Sequence, residues 1–189
     1  EATLMLARAA DPREYGVVLC DEQGRVTRFV EKPSWAQALT DAVNAGIYVL
    51  SPALLRLIPK GRPYDFSRDL FPRLLASGRA LFAMVGEGSW CDIGDPAAYL
   101  AANLQHSGGR TVRGEGCSIS DSASVQRSVL WDGVTVESGA VVREAILCDG
   151  VRVGAGAHID PGCILCAGSQ LKPGAILPPG SILPMGQVY

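Results

Sequence analysis

The sequence predicts an α/β chain in two parts, a piece of mixed sheet followed by a parallel β-helix, and three observations carry that prediction. From Ile119 to Leu183 an aliphatic residue recurs at every sixth position, except for the two five-residue steps that end at Leu130 and Leu147. A period of six is neither helical nor a plain alternating strand, and it matches the hexapeptide repeat of a β-helix, in which short strands wind round a triangular prism. A longer period reinforces it: Ser128–Glu144 aligns with Ala145–Pro161, seventeen residues on, with seven identities. Before residue 107 the pattern changes to apolar strand-like runs alternating with helical ones, as in part of an α/β sheet.

The aliphatic stations are Ile119, Val125, Leu130, Val136, Val142, Leu147, Val153, Ile159, Leu165, Leu171, Leu177 and Leu183. Each points into the prism. Glycine stands three places after the aliphatic from Leu130 onward, with Ala145 the one exception, and lets the chain bend at a corner. Three stations per coil give four coils, a prism about 20 Å long at the usual strand spacing.

In the first part, Ala2–Ala9 reads as a strand broken by Asp11-Pro12. Tyr15–Cys20 and Val26–Val30 flank Asp21–Gly24, which gives a β-hairpin. Val43–Leu50 is a third strand with an internal glycine. Ser51 is placed to cap a short helix over Pro52–Leu57. Asp65 or Ser67 opens another around Asp69–Ala76, where Pro72 implies a late start or a kink. Leu81–Val85 is a short strand. Asp95-Pro96 starts a helix over Ala97–Gln105. The shift in composition at Ser107–Gly114 sets the expected domains as 1–106 and 107–189.

Composition excludes some classes of function. A net charge of −2 and 48% hydrophobic residues describe a globular chain with no electrostatic reason to bind nucleic acid or an anionic membrane. No apolar run approaches the length of a membrane span, and residues 1–14 lack the basic segment and apolar core of a signal peptide. Six cysteines without framework spacing fit a reduced, cytoplasmic protein, and Cys163 and Cys166 fall inside the hexapeptide register.

Three groups of polar residues invite a functional reading. Glu31-Lys32-Pro33 follows an apolar strand, so an acid and a base project where the strand ends, either as a solvated end or as a binding edge. Asn44 lies inside an apolar strand and must find partners, in the backbone or in a ligand. Asp92 stands between an aromatic and a glycine and serves equally as a turn former or a metal ligand. Two histidines without triad spacing argue against hydrolase chemistry.

The order and spacing of these segments resemble the sugar nucleotidyltransferase family, the NDP-sugar pyrophosphorylases. The resemblance runs through Tyr15–Val18, Gly24–Val26, Phe29–Pro33, Val43–Tyr48, Asp65-Phe66 with Asp69–Pro72, and Trp90–Pro96 with Tyr99-Leu100. With its hexapeptide tail the chain is similar in kind to mannose-1-phosphate guanylyltransferases. The resemblance implies the C-terminal half of a Rossmann-like nucleotidyltransferase sheet joined to a left-handed β-helix. It implies transfer of a nucleotidyl group from a nucleoside triphosphate to a sugar 1-phosphate, with pyrophosphate leaving. Lys32 would bind the sugar phosphate, Glu31 and Asn44 the sugar, the backbone of Gly16 would touch it, and Asp92 would be one of two carboxylates holding Mg²⁺. The family's glycine-rich nucleotide loop and first metal aspartate are missing here, so the chain is expected to be the sugar half of a longer protein, with a homo-oligomer or additional domains of the same longer chain as its expected partners. Two other readings stay open: a regulatory or assembly subunit that keeps the fold without the chemistry, and a hexapeptide acyltransferase with His158 as its base.

Overall fold

A computed structural model describes residues 2–189, which divide into two compact units, one ending at Trp90 and one running from Cys91 to Tyr189. The first is a five-stranded mixed sheet of order β3-β2-β4-β1-β5, made of β1 (Ala2–Arg8), β2 (Gly16–Cys20), β3 (Val26–Glu31), β4 (Ala42–Leu50) and β5 (Leu81–Val85). The expected hairpin is β2–β3, closed through Gly24 in the left-handed region that a tight turn requires. β4 runs antiparallel to β1, and β5 lies parallel to β1 on its far side. One face of this Rossmann-like sheet is packed by Leu54, Leu70, Phe71 and Leu74, all buried against Leu4, Leu6 and Leu81.

Two helices differ from their sequence reading. Ser51 stands before Pro52–Leu55 (α1), but its hydroxyl makes no capping bond and the helix is a single turn. Around Pro72 the chain forms a wide turn over Phe66–Leu70 and then α2 (Phe71–Ala76). Proline has no N–H to close an ordinary α turn, and the Leu70 N–H instead reaches back five residues to the Asp65 carbonyl at 3.1 Å. Asp65 caps the segment by accepting from the Arg68 N–H at 2.8 Å.

The second unit begins with α3 (Pro96–His106), capped by the Asp95 carboxylate, which accepts from the Ala98 N–H at 2.7 Å. The rest is an all-parallel β-solenoid of stacked coils. Its three faces are ladders of two- and three-residue strands, running for example through Val129–Leu130, Ile146–Leu147, Ile164–Leu165 and Ile182–Leu183. The stations stack in register, Val136 on Val153 and Val142 on Ile159, and their side chains fill the prism. The one missing glycine has a physical reason. In the two five-residue steps Arg127 and Glu144 take the corner themselves, with φ of 47° and 44°. Their side chains meet across adjacent coils, with the Arg127 Nε donating to Glu144 Oε1 at 3.1 Å.

No helix among the described residues is long and apolar enough to cross a membrane. The solenoid core also yields a direct stability test. Leu165 is fully buried, whereas Ile182, which faces outward beside Leu183 on the next coil, is 63% exposed. Leu165→Ala should therefore cost about 2–5 kcal/mol in denaturant unfolding, while Ile182→Ala should stay within about 0.5 kcal/mol.

Candidate functional site

The candidate residues gather where β2, β3 and β4 come together. Gly16 pairs with Glu31 across the hairpin, and Val17 pairs with Val43. Extending that second register by one residue brings Asn44 level with Gly16, so Glu31, Gly16 and Asn44 form a row across three strands. Gly16 is required there. A Cβ on it would lie 2.8 Å from Glu31 Oε2 and 2.7 Å from the Phe29 ring, so the missing side chain lets the carboxylate lie over the middle strand.

Lys32 follows at the end of β3 with φ of 44°, a left-handed conformation that costs a side-chain-bearing residue about 1–2 kcal/mol. Pro33, which is buried, follows it directly, and the Lys32 N–H is held by the Tyr15 carbonyl at 3.0 Å. The backbone thus turns sharply and leaves Lys32 exposed immediately after Glu31. Strain of this kind, kept in place by surrounding bonds, is characteristic of binding edges.

Asn44 owes its position to an irregularity in β4. Leu4 pairs with Tyr48 and Leu6 with Asn44, so Ala45, Gly46 and Ile47 bulge opposite the single residue Met5. Gly46 supplies the left-handed turn, with φ of 76°. The Asn44 amide is fully engaged: its Nδ2 donates to the Tyr48 hydroxyl at 2.8 Å and the Ser67 hydroxyl at 3.1 Å, and its Oδ1 accepts from the Gly46 N–H at 3.2 Å. Sequence reasoning singled out the asparagine and missed Tyr48 and Ser67. The first lay in view inside the matching Val43–Tyr48 run, while Ser67 carried no signal.

Behind this row stands a second group. The Asp11 carboxylate grips the Arg13 guanidinium with two hydrogen bonds, and the guanidinium lies 4.1 Å over the ring of Trp35. The pair ties the loop after Lys32-Pro33 back to the β1–β2 connection. The Arg13 side chain, and then its backbone N–H, hold the Asp11 carboxyl below its ordinary range. That contribution is present above the unfolded pKa and is lost as the pH falls through the folded one.

Asp92 lies in the second unit and is exposed. A Cβ built on Gly94 would stand 3.5 Å from Asp92 Oδ2, so the glycine leaves that oxygen open on one side. No group of three or more His, Cys, Asp or Glu side chains fit to hold a metal occurs among the described residues. A lone open carboxylate suits an ion such as Mg²⁺, which keeps several waters and takes most other ligands from phosphate oxygens. A cavity of about 700 Å³ also lies within the second unit, between α3 and the solenoid. Its walls are mostly apolar (Leu100, Leu104, Ile146, Ile164), and its cation, Arg127, is already paired with Glu144, which makes it a poor phosphate site.

Two substitutions test the local physics. Lys32→Gly removes the left-handed strain and should leave stability unchanged or raise it by up to about 1 kcal/mol in thermal unfolding. Gly16→Ala must displace the Phe29 ring as well as Glu31, and should destabilise by about 1–3 kcal/mol.

Two families match different parts of the chain. Residues 1–107 match the family described as nucleotidyl transferase, and residues 105–177 match a family described as the EIF2B subunit epsilon LbH domain. A UTP–glucose-1-phosphate uridylyltransferase of Synechocystis sp. is 41% identical over 88 residues, covering 47% of this chain and 23% of the relative. The probable mannose-1-phosphate guanylyltransferase 1 of Oryza sativa subsp. japonica is 44% identical over 101 residues, covering 53% and 27%. The mannose-1-phosphate guanylyltransferase catalytic subunit beta of Danio rerio is 40% identical over the same length, with the same coverage. The matched region spans about a quarter of the length of these curated relatives. With more than half its residues matched, and with the mixed sheet and stacked-coil solenoid that the repeats call for, the chain belongs to the nucleotidyl transferase family.

Proposed function

We propose that this chain forms the sugar-phosphate side of an enzyme that makes a nucleotide sugar from a sugar 1-phosphate and a nucleoside triphosphate, with mannose 1-phosphate and GTP as the preferred pair. The carrying observation is the strained Lys32 beside Glu31, with the carboxylate lying over Gly16. A point-charge cation suits a phosphate, a carboxylate suits adjacent sugar hydroxyls, and bare backbone at Gly16 lets a sugar ring come close. The guanylyl and mannose preference rests on the names of relatives at 40–44% identity, and the uridylyl and glucose pair is the second choice on the same ground.

In the proposed reaction the phosphate oxygen of the sugar 1-phosphate attacks the α-phosphorus. A new P–O bond forms, the bond from the α-phosphorus to the bridging oxygen breaks, and pyrophosphate leaves with that electron pair. Two polyanions must be brought together, so most of the catalytic work is positioning and charge stabilisation. Lys32 binds and orients the sugar phosphate. Glu31 accepts from sugar hydroxyls, and Asn44 acts on the sugar through the Tyr48 and Ser67 hydroxyls it holds, or directly if it exchanges them. Asp92 supplies one carboxylate for Mg²⁺, whose chemistry is to neutralise charge on the phosphates. The nucleotide loop and the second metal carboxylate belong to a further part of the enzyme, in the same longer chain. By descent we divide the chain at 106/107, although by contacts α3 goes with the solenoid. A cytoplasmic setting suits six unpaired thiols.

The match of 105–177 to the EIF2B subunit epsilon LbH domain favours one second reading, a regulatory or assembly subunit. Retention of Glu31, Lys32 and Asp92 together supports the enzyme over it. In a chain that carries both halves, Lys32→Ala should raise the apparent KM for sugar 1-phosphate about tenfold or more, through loss of a charge-assisted contact, and leave the nucleotide KM within about twofold. Equal effects on both substrates would remove Lys32 from the phosphate site. Asp92→Asn should lower the rate about a hundredfold at limiting Mg²⁺, and a wild-type rate would make Asp92 a turn former only.

A further inference from the structure

We infer that Trp90 is a positioning residue that locks the two substrate-binding segments of the sheet to one another, an assignment that rests on the sugar-phosphate reading above. The bulge in β4 takes Ala45, Gly46 and Ile47 out of the ladder with β1, because three residues there face only Met5. A bulge leaves backbone groups without their strand partners, and a half-buried carbonyl needs a donor from elsewhere. The Trp90 indole N–H supplies it, donating to the Ala45 carbonyl at 3.0 Å. This bond reaches across 45 residues of sequence and tethers the bulge in addition to the bonds made by Asn44.

The same indole also supports the Lys32 turn. Its ring meets Tyr15 edge to face, with centroids 5.2 Å apart. Tyr15 is the residue whose carbonyl holds the Lys32 N–H in its left-handed conformation. Tyr15, Ala45 and Trp90 pack with Ala7, Val17 and Val43 in a small core of their own, separate from the one that holds Phe29 and Tyr48. Trp90 therefore packs behind the row of Gly16, Glu31 and Asn44, with one hydrogen bond to the β4 bulge and one ring contact to the Lys32 anchor. Without the indole N–H, the Ala45 carbonyl loses this donor, and the strand ladder between the two segments rests on the Val17–Val43 pair. Trp90 touches no substrate in this scheme. It fixes the separation between the Lys32 ammonium and the Asn44–Tyr48 group, and so selects for a ligand that spans both, a phosphorylated sugar rather than free phosphate.

Two replacements separate the hydrogen bond from the packing. Trp90→benzothienylalanine keeps the bicyclic ring and puts sulfur in place of the N–H, and Trp90→Phe shortens the ring as well. In the 189-residue chain, hydrogen exchange should quicken at least about fivefold at the Gly46 amide in both variants, and at the Lys32 amide in Trp90→Phe, where the ring contact to Tyr15 is also weakened, and stay unchanged at Leu4 and Leu6 in β1. Unchanged exchange at Gly46 and Lys32 overturns the inference, as does uniform acceleration across the whole sheet. In a chain that carries both halves, the benzothienylalanine variant should raise the KM for sugar 1-phosphate about tenfold and leave the nucleotide KM within about twofold. Faster exchange with an unaltered sugar-phosphate KM, while Lys32→Ala still acts selectively, overturns the positioning role and leaves the proposed function standing. If Lys32→Ala is also unselective, the proposed function fails instead, and the exchange result alone decides whether Trp90 locks the two segments.

Discussion

The first unit depends on one pairing, Val17 with Val43, both fully buried. β4 runs along β1 for most of its length, and among the described residues this is its one ladder pair with the hairpin. What the hairpin carries, including Glu31 and Lys32, is placed relative to Asn44 through that pair, through the Trp90 indole, and through the Phe71 ring on which Phe29 and Tyr48 both pack. The arrangement explains why the irregular features sit together. A bulge at Ala45–Ile47, a left-handed lysine and a glycine with no room for a side chain occur within a few residues of the pair. Each costs free energy locally, and each turns a polar group toward the same end of the sheet.

Much of this was legible in the sequence, and for identifiable reasons. The solenoid was the easiest part, because a six-residue period forces every inward station to repeat and each coil reports on its neighbours. Even its exceptions were visible: the missing glycine and the five-residue steps mark the corners that Arg127 and Glu144 occupy. The hairpin was legible through Gly24 at its turn. Glu31, Lys32 and Gly16 came into view because a charged pair after an apolar strand and a motif of known order agreed. Less was legible where proline met a helix. Pro72 foretold an irregular start, but a wide turn closed by Asp65 and Leu70 depends on backbone bonds that residue types do not encode. Ser51 looked like a cap and makes no capping bond. Of the partners of Asn44, Ser67 was invisible, since it lies 23 residues away and only folding brings it near.

The two units serve the proposed chemistry differently. The sheet supplies the charged and polar edge. The solenoid is a rigid prism whose core is almost wholly aliphatic, with its ion pair at a corner. Such a prism is suited to holding α3 and the Asp92–Asp95 segment that leads into it, through contacts such as the Trp131 indole N–H donating to the Tyr99 hydroxyl at 3.1 Å. The carboxylate proposed for a metal and the lysine proposed for a phosphate thus come from separately stabilised parts of the chain, and each can be tested without the other.

The central claim is that a sugar phosphate binds at the end of β2, β3 and β4. The most direct test is to titrate mannose 1-phosphate into the ¹⁵N-labelled chain and follow amide chemical shifts, with inorganic phosphate and mannose as separate controls. The account predicts changes concentrated at Gly16, Glu31, Lys32 and Gly46, larger with mannose 1-phosphate than with either control. Changes confined to the cavity between α3 and the solenoid, or equal responses to inorganic phosphate alone, would contradict it.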